Sequence, residues 1–75
     1  MRATVDIVGL AIRQARIDRG VTQAQLAKDL GVSRQWLIEI ERGTGNPSYE
    51  TLFRVAEKMG FKINITPRDQ GEAND

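Results

Sequence analysis

Apolar residues recur at helical spacing along the first sixty positions of the chain, which predicts a series of short amphipathic helices. Thr4 or Asp6 is the predicted cap of the first helix, which runs to about Asp18 or Arg19 and ends at Gly20. Its apolar stripe comprises Val8, Ala11, Ile12 and Ala15.

Two large apolar residues of this helix, Leu10 and Ile17, lie away from the predicted stripe and seven positions apart. Single exposed apolar side chains are common on protein surfaces, which is the favoured interpretation. Membership of a contact surface is the alternative.

A helix-turn-helix is predicted next. Thr22 and Gln25 form a capping-box pattern at the start of a second helix that reaches Leu30 and buries Leu26, Ala27 and Leu30. Gly31 ends this helix, and Ser33 caps a third helix after only two linking residues. Two helices joined by a tight turn containing glycine are typical of this motif.

The third helix, from Ser33 to about Arg42, has two different faces. Its inward stripe comprises Trp36, Leu37 and Ile40. Its outward face comprises Gln35, Ile38, Glu39 and Arg42, with Arg34 at the edge. After a turn at Asn46-Pro47, Ser48 caps a fourth helix that runs to about Met59. The apolar stripe of that helix comprises Leu52, Val55, Ala56 and Met59.

After the fourth helix, the spacing of apolar residues changes from the helical pattern to every second position. Phe61, Ile63 and Ile65 alternate with polar residues up to Pro67, which predicts a strand over residues 61–66. Met1 to Val5 is the only other strand candidate, and it is short. Because a lone strand leaves backbone groups unpaired, we expect it to pair with its copy across a two-fold axis. The predicted fold is therefore all-α, with four to five helices and a dimerising strand in a domain over residues 1–66. A polar, disordered tail is expected over residues 67–75.

Composition narrows the possible functions. A chain of 75 residues buries only about 60% of its unfolded surface, so it needs a further source of stability. The absence of cysteine and histidine excludes disulfides, disfavours zinc, and excludes serine–histidine and cysteine–histidine catalysis. A homodimer is the remaining source of stability. We expect no enzyme activity, cofactor or metal.

Charge and hydropathy add less. Residues 1–66 hold ten Lys/Arg and seven Asp/Glu, a net charge of +3, whereas residues 67–75 hold one Arg and three acidic residues, a net charge of −2. A mildly basic body is compatible with an anionic partner, and equally with a solvated surface. Neither a membrane span nor a signal peptide is evident, so we expect a cytoplasmic protein that binds no membrane.

Five motifs together resemble the phage-repressor/Cro-type, or XRE-like, helix-turn-helix family. They are Val21-Thr22-Gln23, Leu26-Ala27, Gly31-Val32-Ser33, Ile40-Glu41-Arg42-Gly43 and Pro47-Ser48. The recognition helix and the strand are most similar to those of HipB-like antitoxins. This narrower resemblance implies a dimer that binds a palindromic operator of double-stranded DNA, represses its own operon and binds a HipA-like kinase toxin.

The outward face of the third helix supplies candidate base contacts in the major groove. Gln35 can pair with adenine, Arg34 with guanine and Glu39 with cytosine, while Ile38 can touch a thymine methyl group. A solvated helix face is the alternative for each charged residue. The motif favours contact for Gln35 and Arg34, whereas Glu39 stays evenly balanced because phosphates repel its carboxylate.

Other residues of the motif are candidates for contacts with the DNA backbone. Gln23 lies at the start of the second helix, where the helix dipole favours phosphate. Arg42 and Asn46 are further candidates; alternatively, Arg42 complements a helix dipole and Asn46 is a turn residue. Ser33 belongs to the same predicted DNA-binding set. Trp36 is interpreted as a wedge between helices, with a DNA-backbone contact as the alternative.

A structural pair is implied by the same resemblance. Arg16 and Glu41 match an arginine and a glutamate that pair in the repressor family; separate solvation of each residue is the alternative. A bidentate pair would fix the recognition helix relative to the first helix.

Three functions fit these features. The first is a dimeric repressor that acts as an antitoxin, and the second is a free-standing repressor with no toxin partner. The third is a protein-interaction module that binds no DNA. Polar Gln35 and Arg34 at the recognition positions argue against the third.

Overall fold

The computed structural model describes residues 2–62, and the side chains from residue 3 onward. Four helices make up this part of the chain, with no strand among them. They are α1 (Arg2–Arg19), α2 (Gln23–Leu30), α3 (Arg34–Arg42) and α4 (Tyr49–Lys58). The all-α prediction is thereby confirmed for the described residues.

The predicted caps of α2, α3 and α4 are present. Thr22 and Gln25 form both bonds of a capping box at the start of α2. The hydroxyls of Ser33 and Ser48 accept hydrogen bonds from backbone N–H groups in the first turns of α3 and α4. These side chains satisfy backbone donors that have no partner within the helix, so each helix begins at a defined residue.

The predicted start of α1 is wrong. Thr4 and Asp6 lie inside the helix, which begins at Arg2, so neither is its cap. The short strand candidate in the same segment is also wrong, because residues 2–5 are helical. The buried side chain of Val5 gives the physical reason: it lies at helical spacing from Val8, and its burial extends the amphipathic pattern toward the N-terminus.

The predicted dimerising strand falls largely outside the described residues. Phe61 and Lys62 belong to no strand, and the half-buried Phe61 packs against the hydrophobic core of its own chain. Ile63, Ile65 and the tail over residues 67–75 lie outside the described range. Strand pairing therefore stays a prediction.

One hydrophobic core joins all four helices. Its members are Val5, Val8, Ile12, Leu26, Ala27, Leu30, Leu37, Ile40, Leu52, Val55, Ala56 and Met59. The predicted inward stripes of α2 and α4 are buried as expected. Trp36 is only half-buried and packs at the edge of the core, which agrees with a wedge between helices.

The backbones of α1 and α3 approach each other at Gly9, which is buried within α1. A Cβ atom at this position would lie 2.1 Å from the carbonyl oxygen of Ile40. No side chain fits this gap, so glycine is required for the two helices to cross closely. The buried stripe of α1 therefore differs from the predicted one: Val5 and Gly9 are buried, whereas Ala11 and Ala15 are only half-buried.

The turn between α2 and α3 is held from below by α4. Gly31 adopts the left-handed conformation with φ of 74° and ends α2. Arg54 and Lys58 donate hydrogen bonds of 3.2 and 3.3 Å to the carbonyl oxygen of Leu30. Cations at the C-terminal end of a helix interact favourably with its dipole. The helix-turn-helix therefore rests on α4 through charged contacts as well as apolar packing.

The described helices also differ from a membrane span in their combined length and hydropathy. None of them is long and apolar enough to cross a bilayer.

Candidate nucleic-acid interface

A buried carboxylate joins α1, α2 and α3. Glu41 of α3 is only 7% exposed. Arg16 of α1 donates to both of its oxygens, with distances of 2.9 Å from Nε to Oε2 and 3.0 Å from Nη2 to Oε1. Gln23 of α2 donates from Nε2 to Oε1 at 3.2 Å. The three side chains fix the start of α2 and the end of α3 relative to α1.

The Arg16–Glu41 contact has the bidentate geometry implied by the family resemblance. Two parallel N–H···O bonds restrain orientation as well as distance. Hydrogen bonding to Glu41 raises the pKa of Arg16 above its ordinary value, against an opposing effect of burial. Arg16 also donates at 3.3 Å to the backbone carbonyl of Val21, so the guanidinium holds the loop before α2 as well.

An open cleft of about 660 Å³ lies in front of this network, between α1, the start of α2 and α3. It is lined by Arg13, Arg16, Thr22, Gln23, Ala24, Arg34, Glu41 and Arg42. Because Arg16 and Glu41 neutralise each other, the excess charge comes from Arg13, Arg34 and Arg42, which are all exposed. The cleft is therefore cationic and suited to a polyanion.

The outward face of α3 is mixed and partly accessible, because Gln35 is exposed whereas Glu39 is half-buried. Gln35 is exposed, and its Nε2 donates to Oε2 of Glu39 at 2.9 Å, one helical turn away. Ile38 is half-buried beside them. The structure thus places Gln35, Ile38 and Glu39 on one face of α3, whereas Arg34 and Arg42 line the cleft.

The remaining predicted contact residues lie at the margins of this interface. Ser33 is exposed, and its hydroxyl accepts a 2.9 Å hydrogen bond from the backbone N–H of Trp36. Asn46 is exposed in the loop after α3. None of these three residues lines the cationic cleft.

Arg13 is the charged cleft residue that the sequence did not indicate. It lies one turn before Arg16 on α1, and its position beside α3 depends on the tertiary crossing at Gly9. The spacing of Arg13 and Arg16 placed both on neighbouring turns of one helix. Only the packing of that helix shows which of its sides borders the recognition helix.

The chain matches the helix-turn-helix family model HTH_3 over residues 12–65. It is 42% identical over 57 residues to the immunity repressor protein of Bacillus phage phi105, a match that covers 76% of this chain and 40% of the repressor. It is 44% identical over 52 residues to an uncharacterized HTH-type transcriptional regulator of Methanocaldococcus jannaschii. This match covers 69% of this chain and 79% of that regulator.

A third relative is the transcriptional regulator ClgR of Mycobacterium tuberculosis, which is 33% identical over 67 residues, covering 89% of this chain and 60% of the regulator. The matched region is less than half of the phage repressor. The larger part of that repressor therefore lies outside the match. No solved structure matches the chain. The family model spans most of the chain and its residues include all of α2, α3 and α4, so this protein belongs to the helix-turn-helix family.

Proposed function

We propose that this protein is a sequence-specific, DNA-binding transcriptional repressor. One observation carries the proposal: the face of α3 that presents the exposed amide of Gln35 lies beside a cleft with three exposed arginines. Affinity for DNA comes mainly from phosphate contacts, and specificity comes from contacts with base edges. In this proposal the cleft supplies the phosphate contacts and the face of α3 supplies the base contacts. The names of the relatives, an immunity repressor and transcriptional regulators, support the same function.

In this proposal the outward face of α3 reads bases in the major groove. An amide side chain has one carbonyl acceptor and two N–H donors. With one N–H bonded to Glu39, Gln35 keeps the other donor and its acceptor for an adenine edge. Glu39 then orients Gln35, as an alternative to accepting from cytosine. In this proposal Arg34, which borders both the cleft and this face, reaches guanine, and Ile38 contacts a thymine methyl group.

Backbone contacts come from the cleft. The N–H groups at the start of α2 and the second N–H of the Gln23 amide bind phosphate, while the bond to Glu41 keeps Gln23 in place. Arg13 and Arg42 add charge on either side of this position. Further contacts with the DNA backbone are proposed for Ser33, Trp36 and Asn46.

We also propose that the protein binds a palindrome as a homodimer. Such dimers place their recognition helices about 34 Å apart, one turn of DNA. The alternating residues Phe61, Ile63 and Ile65 support a dimer contact near the end of the domain. Replacing Ile63 and Ile65 together by Asp in the full chain should then reduce dimerisation in sedimentation experiments. An unchanged dimer would remove this segment from the interface.

Selection of duplexes from a randomised DNA library tests the repressor proposal directly. The expected result is an enriched palindrome whose half-sites have centres about 10 bp apart. The variant Arg34→Ala, Gln35→Ala, Glu39→Ala should enrich no motif while keeping wild-type helicity in circular dichroism. Wild-type protein that binds DNA without enriching a sequence would contradict specific recognition.

A second candidate is the antitoxin of a toxin–antitoxin pair with a HipA-like kinase toxin. The similarity of the recognition helix to HipB-like antitoxins favours it, whereas the names of the three relatives favour a free-standing repressor. Co-purification with the kinase-like product of a neighbouring gene, followed by a gel shift on the selected operator, separates the two. A stable ternary complex would support the antitoxin role; no co-purifying kinase would leave the free-standing repressor.

A further inference from the structure

The face of α1 that points away from the core carries a regular apolar stripe. The stripe comprises Ala3, Ile7, Leu10, Gln14 and Ile17, all exposed. Ile7, Leu10 and Ile17 are 66%, 63% and 46% exposed. The successive spacings of four, three, four and three residues form the a/d pattern of a coiled coil. We refer to these five residues as the α1 stripe.

We propose that the α1 stripe is a self-association surface that pairs with the α1 stripe of a second copy in parallel. Its role as an aid to operator binding rests on the proposed function, but the contact itself does not. Ile7 lines one groove together with Phe61 and Lys62, so the N-terminal part of the stripe adjoins these two residues. Ile7 at an a position and Leu10 at a d position are the combination that favours two parallel helices.

Charge decides the orientation. In a parallel pair, each g position faces the e position five residues later on the partner helix. Exposed Arg13 and Asp18 occupy these positions, so Arg13 of each copy faces Asp18 of the other. An antiparallel pair that matches Ile7 with Ile17 instead brings Arg13 of one copy next to Arg13 of the other, so that two positive charges face each other. An antiparallel pair that matches Ile7 with Leu10 leaves Ile17 outside the contact.

The polar member of the stripe fits the parallel arrangement. Gln14 lies at an a position, where a polar residue specifies register in coiled coils. It donates at 2.9 Å to Asp18 in the same helix. Its carbonyl and second N–H remain available for Gln14 of the second copy. In the antiparallel register that pairs Ile7 with Ile17, this amide would face Leu10.

The dimensions indicate a weak contact. α1 has 18 residues and is therefore about 27 Å long. A single helix pair of this length buries less than the roughly 1,200 Å² that marks the lower limit of stable interfaces. Such a contact strengthens binding chiefly when two copies are already held close together, as on neighbouring half-sites.

Single cysteines test the proposal, because the full chain has none. Ile17→Cys places two thiols opposite each other in the parallel pair, within the Cα–Cα distance of about 4.4–6.8 Å that a disulfide needs. In the antiparallel register that pairs Ile7 with Ile17, the two cysteines would be about 15 Å apart along the helix. Phe53→Cys, at a position on α4 that is 37% exposed, is the matched control.

Under mild oxidation without DNA, the Ile17→Cys protein should form covalent dimers at least tenfold faster than the Phe53→Cys protein. Adding Leu10→Glu should lower the rate to that of the control without changing the circular dichroism spectrum. Adding Asp18→Arg should also slow the reaction, and the exchange of charges in Arg13→Asp, Asp18→Arg should restore it. Equal rates for the two cysteines would overturn the proposal, whether or not the protein binds DNA. Binding of a different protein to the α1 stripe, without any self-association of this chain, would also overturn the proposal.

Discussion

The inner and outer faces of α3 are built in opposite ways. On the inner face, Leu37 and Ile40 are almost fully buried and Glu41 receives bonds from two other helices. On the outer face, Gln35 and Glu39 are bonded to each other within one helix. The fixed face sets where the helix lies, whereas the accessible face can exchange its contacts for those of a ligand. In the proposed repressor, changes on the inner face therefore act on stability and changes on the outer face act on recognition.

The largest expected effect on the fixed side comes from Gly9→Val. The new side chain would collide with the Ile40 carbonyl and force α1 away from α3. We expect a loss of about 3 kcal/mol in the free energy of unfolding, at the upper end of overpacking effects. Urea denaturation measures it. Gln14→Ala, on the exposed side of the same helix, should change stability by less than about 0.5 kcal/mol; similar losses for both would mean that the close crossing does not matter.

The next effect is that of the Arg16–Glu41 pair. Glu41→Ala leaves Arg16 without its partner, and Arg16→Ala leaves a buried carboxylate. Each should lower the free energy of unfolding by about 2 kcal/mol, somewhat less than for a fully buried pair because Arg16 is partly exposed. The double variant should lose less than the sum of the single losses. Additive losses in thermal or urea unfolding would show that the pair contributes no coupling energy.

A smaller effect is expected in the cleft, where residues contact phosphate in the proposed complex. Arg42→Ala should weaken the selected operator and a scrambled duplex to the same extent, and should reduce the salt dependence of binding by about one unit of slope. Gln23→Ala should likewise affect both duplexes equally. Fluorescence anisotropy at several salt concentrations measures both variants. A preference for one duplex would assign these residues to base contacts.

The sequence predicted the helix-turn-helix well because its signals are local. Thr22, Gly31 and Ser33 act within a few residues of their own positions, so the caps and the turn follow from the order of residues alone. The same holds for the apolar stripe of α4. The resemblance added the Arg16–Glu41 pair, whose members are 25 positions apart in the chain.

The placement of α1 was harder to predict because it depends on contacts with α3 that are distant in sequence. Gly9 lies inside a helix, where local rules describe glycine as a weakness; only the crossing shows why it is required. That crossing also rotates Val5 into the core and brings Arg13 to the cleft. The bond between Gln35 and Glu39, by contrast, has a spacing of four residues that the sequence already contains.

The central claim is that the outer face of α3 reads bases while the cleft binds phosphate. The most direct test compares the affinities of wild-type and Gln35→Ala protein for the selected palindrome and for a scrambled duplex of equal length, at one salt concentration. We expect Gln35→Ala to lose about 1–3 kcal/mol on the palindrome and to bind the scrambled duplex like wild type. Equal losses on the two duplexes, like those expected for Arg42→Ala, would contradict the claim.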